Sequence, residues 1–276
     1  MKITETHSST DLKNFLRLID YRVAQTREEL EKAYHLVYKE YLKRGYTNET
    51  SSKIRVSIYN IIPQTTTFIA IVENEVLATA TLIEDSPLGL PMDKIYRNEL
   101  AQFRNNNKKL CEISMLASDT DLFKAGTSIM SNSKKMFFIF YLFKLIFDYA
   151  DNFLALDFIC ITIHPKHKLV YDFLSFKDLG NLKVYSQVNG APAIAMYCDL
   201  RSAKGKQEKQ KREDLYKMFY RERTPDDKFM HKFVLTPADL RYFFAEKTDI
   251  LRTIDPKDLE YIKTCYPNYD FSKIII

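Results

Sequence analysis

Residues 66–93, TTFIAIVENEVLATATLIEDSPLGLPMD, followed by CEISMLASD at 111–119, decide the fold class. TTFIAIV (66–72) and VLATATLI (76–83) are apolar runs rich in β-branched residues, and only Glu73–Asn74–Glu75 separates them. That pattern predicts a hairpin. SPLGLPM (86–92) reads as a Pro/Gly loop. A polar region around Asn105–Asn106–Asn107 then leads to a third central strand over 109–117.

Upstream, residues 8–19 read as a short helix or arm and 21–24 as a short strand. Thr26 with Glu29 three residues on is a capping-box pattern. Leu30, Ala33, Tyr34, Val37, Tyr38 and Tyr41 recur at helical spacing, so the helix ends near Arg44–Gly45. Downstream, residues 132–149 form the most apolar helix, and LDFICITI (156–163) is a buried strand stopped by His164–Pro165. A short helix over 168–174 follows. Strands over 182–187 and 193–200 are joined through the turn pair Asn189–Gly190. The order predicts a mixed α/β fold with one central sheet flanked by helices.

The 276-residue chain is 46% hydrophobic and carries a net charge of +5. This charge is too mild to argue for nucleic acid. Six Gly and no Trp set aside collagen-like and glycine-rich propeller architectures, while 18 Tyr and 19 Phe suffice for a large core with an apolar pocket. Cys111, Cys160, Cys198 and Cys265 show no C-x-x-C spacing and have no nearby His, so they read as reduced core thiols, and no metal site is expected. The first 14 residues lack the apolar run of a signal peptide, which predicts a cytoplasmic protein. MFFIFYLFKLIF (136–147) is too short to span a bilayer and reads as a buried or interfacial helix. Residues 201–223 hold nine basic and four acidic side chains. Helices follow over 235–247 and 255–265, with caps at Thr236–Pro237 and Asp255–Pro256. We therefore divide the chain into residues 1–200 and a basic helical extension, 201–276, packing on the same domain.

Three segments, in this order and spacing, carry a resemblance. They are YRVAQTREELEKAYHLVYKEYLKRGY (21–46), the 66–119 pair above, and HPKHKLVYDFLSFKDLGNLKVYSQVNGAPAIAMYCDL (164–200). Residues 20–200 resemble the GNAT-fold long-chain N-acyl amino acid synthases of the FeeM type, relatives of the acyl-homoserine lactone (autoinducer) synthases. The resemblance implies a central, mainly antiparallel sheet. It also implies transfer of a fatty acyl group from acyl carrier protein to the α-amine of an amino acid. Acetyl-CoA users of this fold carry a Gly-rich pyrophosphate loop, whereas 122–135, LFKAGTSIMSNSKK, holds one Gly and no such pattern. Carrier-bound pantetheine is therefore favoured over CoA as donor, and no bound cofactor is expected. The 201–223 run, Lys134–Lys135 and Lys166/His167/Lys168 suit docking of an acidic carrier protein. The same run allows peripheral contact with an anionic membrane.

Glu112 stands within the central strand, where a carboxylate is costly unless paired or put to use, and it suits the removal of a proton from the acceptor ammonium. The family's E-[LIV]-S-R motif reads Glu112–Ile113–Ser114–Met115 here, with Met115 in the Arg position. In this fold the strand bulges at Ile113–Met115 and offers a free N–H to the thioester oxyanion. His164, at the end of a parallel pair, is an alternative base. Tyr171 and Phe176 match the fold's Y-x-x-L-G-F positions, with Ser175 where Gly is usual. Tyr171 there contacts the pantetheine arm or protonates the leaving thiolate. Arg22 and Arg44 are candidates to clamp the amino-acid carboxylate. Two other readings stay open. One is a catalytically silent GNAT-like shell that keeps a lipid pocket. The other is an autoinducer-type synthase on S-adenosylmethionine, against which Met115 and the lack of Trp both argue.

Overall fold

The computed structural model describes residues 18–121, 132–203 and 224–275, with the helix backbone alone over 132–138. Most of the 8–19 segment, most of the 122–135 loop, the 204–223 part of the basic run, and the side chains of Lys134, Lys135, Phe137 and Phe138 lie outside the described residues.

Eight described strands build one sheet: β1 Asp20–Val23, β2 Thr65–Val72, β3 Glu75–Glu84, β4 Leu110–Ser118, β5 Phe158–Ile163, β6 Lys177–Asp178, β7 Lys183–Tyr185 and β8 Ala191–Asp199. Their order is β1-β2-β3-β4-β5-β8-β6, with β7 also paired to β8. Among them β4–β5 is the one parallel pair. The sheet is therefore a single mixed one, as the element order predicts, and mainly antiparallel, as the resemblance implies. Glu73 and Asn74 both take positive φ, the conformation that a tight β2–β3 hairpin requires.

Helix α1 (Arg27–Lys43) starts where the sequence places it. The Thr26 hydroxyl accepts the Glu29 N–H at 3.2 Å. The reciprocal half of the box is redirected, because the Glu29 carboxylate accepts the Gln25 N–H and the Arg22 fork instead. Leu30, Ala33, Tyr34 and Val37 of α1 pack on one face of the sheet, against Ile69, Met115 and Ala117. Leu240, Phe243, Phe244, Leu251 and Ile262 from the C-terminal residues join that cluster. Helix α3 (Asn132–Asp148) covers the opposite face, where Leu142, Phe143, Ile146 and Phe147 meet Phe68, Leu82, Ile113 and Ile161. No helix among the described residues is long and apolar enough to cross a membrane.

One helix escapes the sequence reading. α2 (Asp93–Arg104) occupies the stretch read as a loop and polar region. Its buried residues Tyr96, Leu100 and Phe103 do fall at helical spacing, but the charged residues between them and the following Asn run mask the stripe. The C-terminal segment is also less regular than the long helix expected over 235–247. Helix α6 spans Pro237–Arg241 only, and a π turn covers Tyr242–Glu246. Three further short helices, α4 (Lys168–Phe173), α5 (Asp227–Met230) and α7 (Ile250–Thr253), are followed by α8 (Pro256–Cys265) and α9 (Phe271–Ile274).

Helix α2 fixes the segment before β7. The Tyr96 hydroxyl lies 2.8 Å from both Asn181 O and Ala193 O, and Lys183 Nζ reaches Ile95 O and Glu99. A Cβ on Gly180 would stand 2.8 Å from two carbons of the Tyr96 ring. Gly180→Ala is therefore expected to destabilise the protein by about 1–3 kcal/mol, the scale of overpacking. Thermal unfolding measures it, and an unchanged Tm would show that the ring gives way freely.

Candidate active site

The parallel ladder between β4 and β5 runs from Leu110↔Phe158 to Ile113↔Ile161 and stops there, although both strands continue. Met115 has φ +53, and Met115 and Leu116 together oppose Ala80 of β3. This is a β-bulge, which bends β4 away from β5. The expected bulge thus lies inside the motif, and the β4 backbone beyond Ile113 is not laddered to β5.

A cleft of about 380 Å³ opens where the strands part. Residues 112–116 of β4 and 161–164 at the end of β5 form its floor. Tyr41 and Tyr46 from the end of α1, residues 55–57 and 59, Pro91, Tyr171 and residues from 185–193 form its walls. This is the C-terminal end of a parallel pair, where open sheets gather their sites.

Glu112 is 2% exposed. One carboxylate oxygen accepts the Met92 N–H at 2.8 Å, and the other has no partner among the described residues. Burial pushes the carboxyl up to about 8. The Met92 N–H opposes the shift and the nearby Asp93 charge adds to it. Register places Cys160 beside Glu112, so Thr162 shares its face of the sheet. The buried hydroxyl of Thr162 has no hydrogen-bond partner among the described residues. His164 sits at the rim, half-buried, and its Nδ1 accepts the Lys166 N–H at 3.2 Å. With Nδ1 taken up as an acceptor, the ring's N–H donor is Nε2. The Tyr171 ring packs edge-on against Phe143 and Phe176, and burial pushes its hydroxyl upward. Ser175 takes φ +70, the backbone that the family's Gly adopts without strain.

Glu112, Ile113, Ser114, Met115, His164 and Tyr171 therefore converge on one cleft. Arg22, Arg44 and Phe176 do not line it. Arg22 holds Glu29 at 2.6 Å and Asp20 at 2.8 Å, and Arg44 holds Glu40 at 2.8 Å. Both guanidiniums pair with acids away from the cleft, so the structure does not bring them together with the other candidates. Phe176 is a core ring behind Tyr171. The sequence reading passed over Arg55, Tyr41, Tyr59, Tyr185 and Gln187, all of which line the cleft. For Arg55 a signal existed: it alternates with Ile54 and Val56, a cation inside an apolar run.

Glu40, Asp119 and Asp121 bring carboxylate oxygens within 4.8 Å of one another. Lys39, Lys43 and Arg44 already pair with them, so the cluster is an ion-pair network.

A sheet opened between its one parallel pair, a bulge at the opening and a buried carboxylate beside it make up the arrangement that the resemblance to GNAT-fold acyltransferases implies. A family model described as N-acyl amino acid synthase FeeM matches residues 32–199. The solved structure of FeeM, an N-acyl amino acid synthase from uncultured soil microbes, is 32% identical, with a TM-score of 0.59 over 68% of this chain and 94% of that one. The chain belongs to the FeeM N-acyl amino acid synthase family. The acyl-homoserine lactone synthase LasI matches at 11% identity and TM-score 0.47, over 66% of this chain and 89% of that one. The CoA-dependent synthase MesI matches at 12% and 0.47, over 69% and 94%. None of the curated proteins matches the chain significantly in sequence.

Proposed function

We propose that this acyltransferase moves a long-chain fatty acyl group from the pantetheine thioester of acyl carrier protein to the α-amine of an amino acid. The observation that carries the reading is the buried carboxyl of Glu112 at the mouth between β4 and β5. Burial pushes its acidity up to about 8, nearer to that of an ammonium than an ordinary carboxyl is, which suits it to take the ammonium proton. Glu112 takes one proton from the ammonium, and the freed amine attacks the thioester carbonyl. The oxyanion is held by backbone N–H of the β4 bulge at Ile113–Met115, with Ser114 beside it. Collapse breaks the C–S bond and forms the amide. The second amine proton is released, and the carrier thiolate takes up a proton. Tyr171, kept protonated by burial, is suited to hydrogen-bond the leaving sulfur. His164 lines the same cleft, with its Nδ1 accepting the Lys166 N–H, and is suited to orient substrate.

Carrier protein is favoured over CoA by the single glycine in 122–135 and by the basic run at 201–223. The test mixes the protein with palmitoyl carrier protein and all twenty amino acids, with palmitoyl-CoA in parallel, and reads products by mass spectrometry. A new N-palmitoyl amino acid formed from the carrier-bound donor is expected. Equal rates from CoA would overturn the donor assignment. No amide from either donor, together with acyl chains co-purifying, would leave a lipid-binding shell.

A further inference from the structure

Arg55 is the one guanidinium, and Glu112 the one carboxylate, among the described residues of the cleft. The backbone of Arg55 is fixed, because its N–H donates to Tyr34 O of α1 at 3.1 Å. Its side chain lies with Cζ 5.0 Å from the centre of the Tyr41 ring. One Nη donates to the Gln187 carbonyl at 2.7 Å, and the rest of the donor fork has no protein partner among the described residues. Burial opposes its charge, and Tyr41 and Tyr185 are the groups that offset this. The contrast within the chain is informative. Arg22 has Glu29 and Asp20, and Arg104 has Asp85 and Asp93, yet Arg55 has no acid among the described residues. A guanidinium cannot shed its proton, and removing one from water without an anion is costly. Its planar fork matches a carboxylate in two hydrogen bonds.

We propose that Arg55 anchors the carboxylate of the acceptor, so that the cleft recognises the amino acid as a zwitterion: Arg55 takes the carboxylate and Glu112 faces the ammonium. This rests on the acyltransferase reading above and names how its acceptor is chosen. Amines without a carboxylate, such as polyamines, are then poor acceptors.

The test is calorimetric binding of two product-like probes, N-dodecanoylglycine and N-methyldodecanamide, which differ only in the carboxylate. The wild type is expected to bind the acylglycine about 10- to 100-fold more tightly, the range of a charge-assisted hydrogen-bonded pair. Arg55→Gln is expected to erase that preference, to leave the Kd of N-methyldodecanamide unchanged, and not to lower Tm, since it removes an uncompensated charge. Arg55→Lys keeps the charge without the fork and is expected to retain only part of the preference. A wild type with no preference, or an Arg55→Gln variant that keeps it or weakens both probes equally, would overturn the proposal. The turnover assay separates the two readings. An Arg55-dependent preference without amide formation sinks the acyltransferase reading alone. Amide formation with no dependence on Arg55 sinks this one.

Discussion

Glu112→Gln is expected to lower amide formation by about 10²-fold or more, the usual scale for losing a general base. Gln preserves the acceptor of the Met92 N–H, so the local structure survives the change. The wild-type rate is expected to climb as pH rises toward about 8 and Glu112 loses its proton; the residual rate of the variant lacks that limb. Stability gives an independent reading. The folded state holds the Glu112 proton more tightly than the unfolded chain, so this group's contribution is full below the ordinary carboxylate range. It is lost as pH rises through that range toward 8. Gln carries no such penalty. The Tm of the variant relative to wild type should therefore improve between pH 5 and pH 8 while activity falls. Unchanged turnover would remove Glu112 from the mechanism.

Arg104→Leu is the second large effect. Arg104 bridges Asp85 and Asp93 through four contacts of 2.6–2.7 Å. The side chain of Asp93 is 7% exposed and also accepts the Leu90 N–H. Burial raises the Asp93 carboxyl, but Arg104 and that N–H more than offset it and hold the group below its usual range. Removing the guanidinium leaves two acids facing each other. A loss of about 2–3 kcal/mol is expected, between the scales of surface and buried pairs, because Arg104 is itself part-exposed. For a chain of this size that is roughly 4–6 °C in Tm. The Asp93 contribution is present above the ordinary carboxylate value and lost as pH falls through the depressed folded one. The gap between variant and wild type should therefore close toward pH 3. The same residue bears on catalysis. Arg104 pins the 85–93 loop, and Met92 in that loop supplies the protein hydrogen bond seen on Glu112. A Tm equal to wild type at pH 7 would show that the bridge contributes nothing.

The fold was legible because its strands and helices announce themselves locally. The β2–β3 hairpin, the capped α1, the apolar β5 and the Asn189–Gly190 turn are each decided by residues within a few positions of one another. Helix α2 was not legible, since its stripe of Tyr96, Leu100 and Phe103 is sparse and its burial comes from β8 and the 179–181 segment, far along the chain. The site was legible only in part. Glu112 stood out as a charge in an apolar strand, and His164 as a strand-ending residue. The same reasoning favoured Arg22 and Arg44 over Arg55, because sequence shows which residues are cationic and not which acids reach them. By itself, then, the sequence determined the central sheet and the carboxylate within its strand, while the bulge beside it was implied by the resemblance. Tertiary structure alone decided which arginines are neutralised and which faces the cleft. Periodicity, capping and even the pairing of Arg22 and Arg44 with Glu29 and Glu40, seven and four positions away, act over one or two turns of chain, whereas the surroundings of Arg55 are assembled from distant segments, its hydrogen-bond acceptor being a backbone carbonyl 132 residues away.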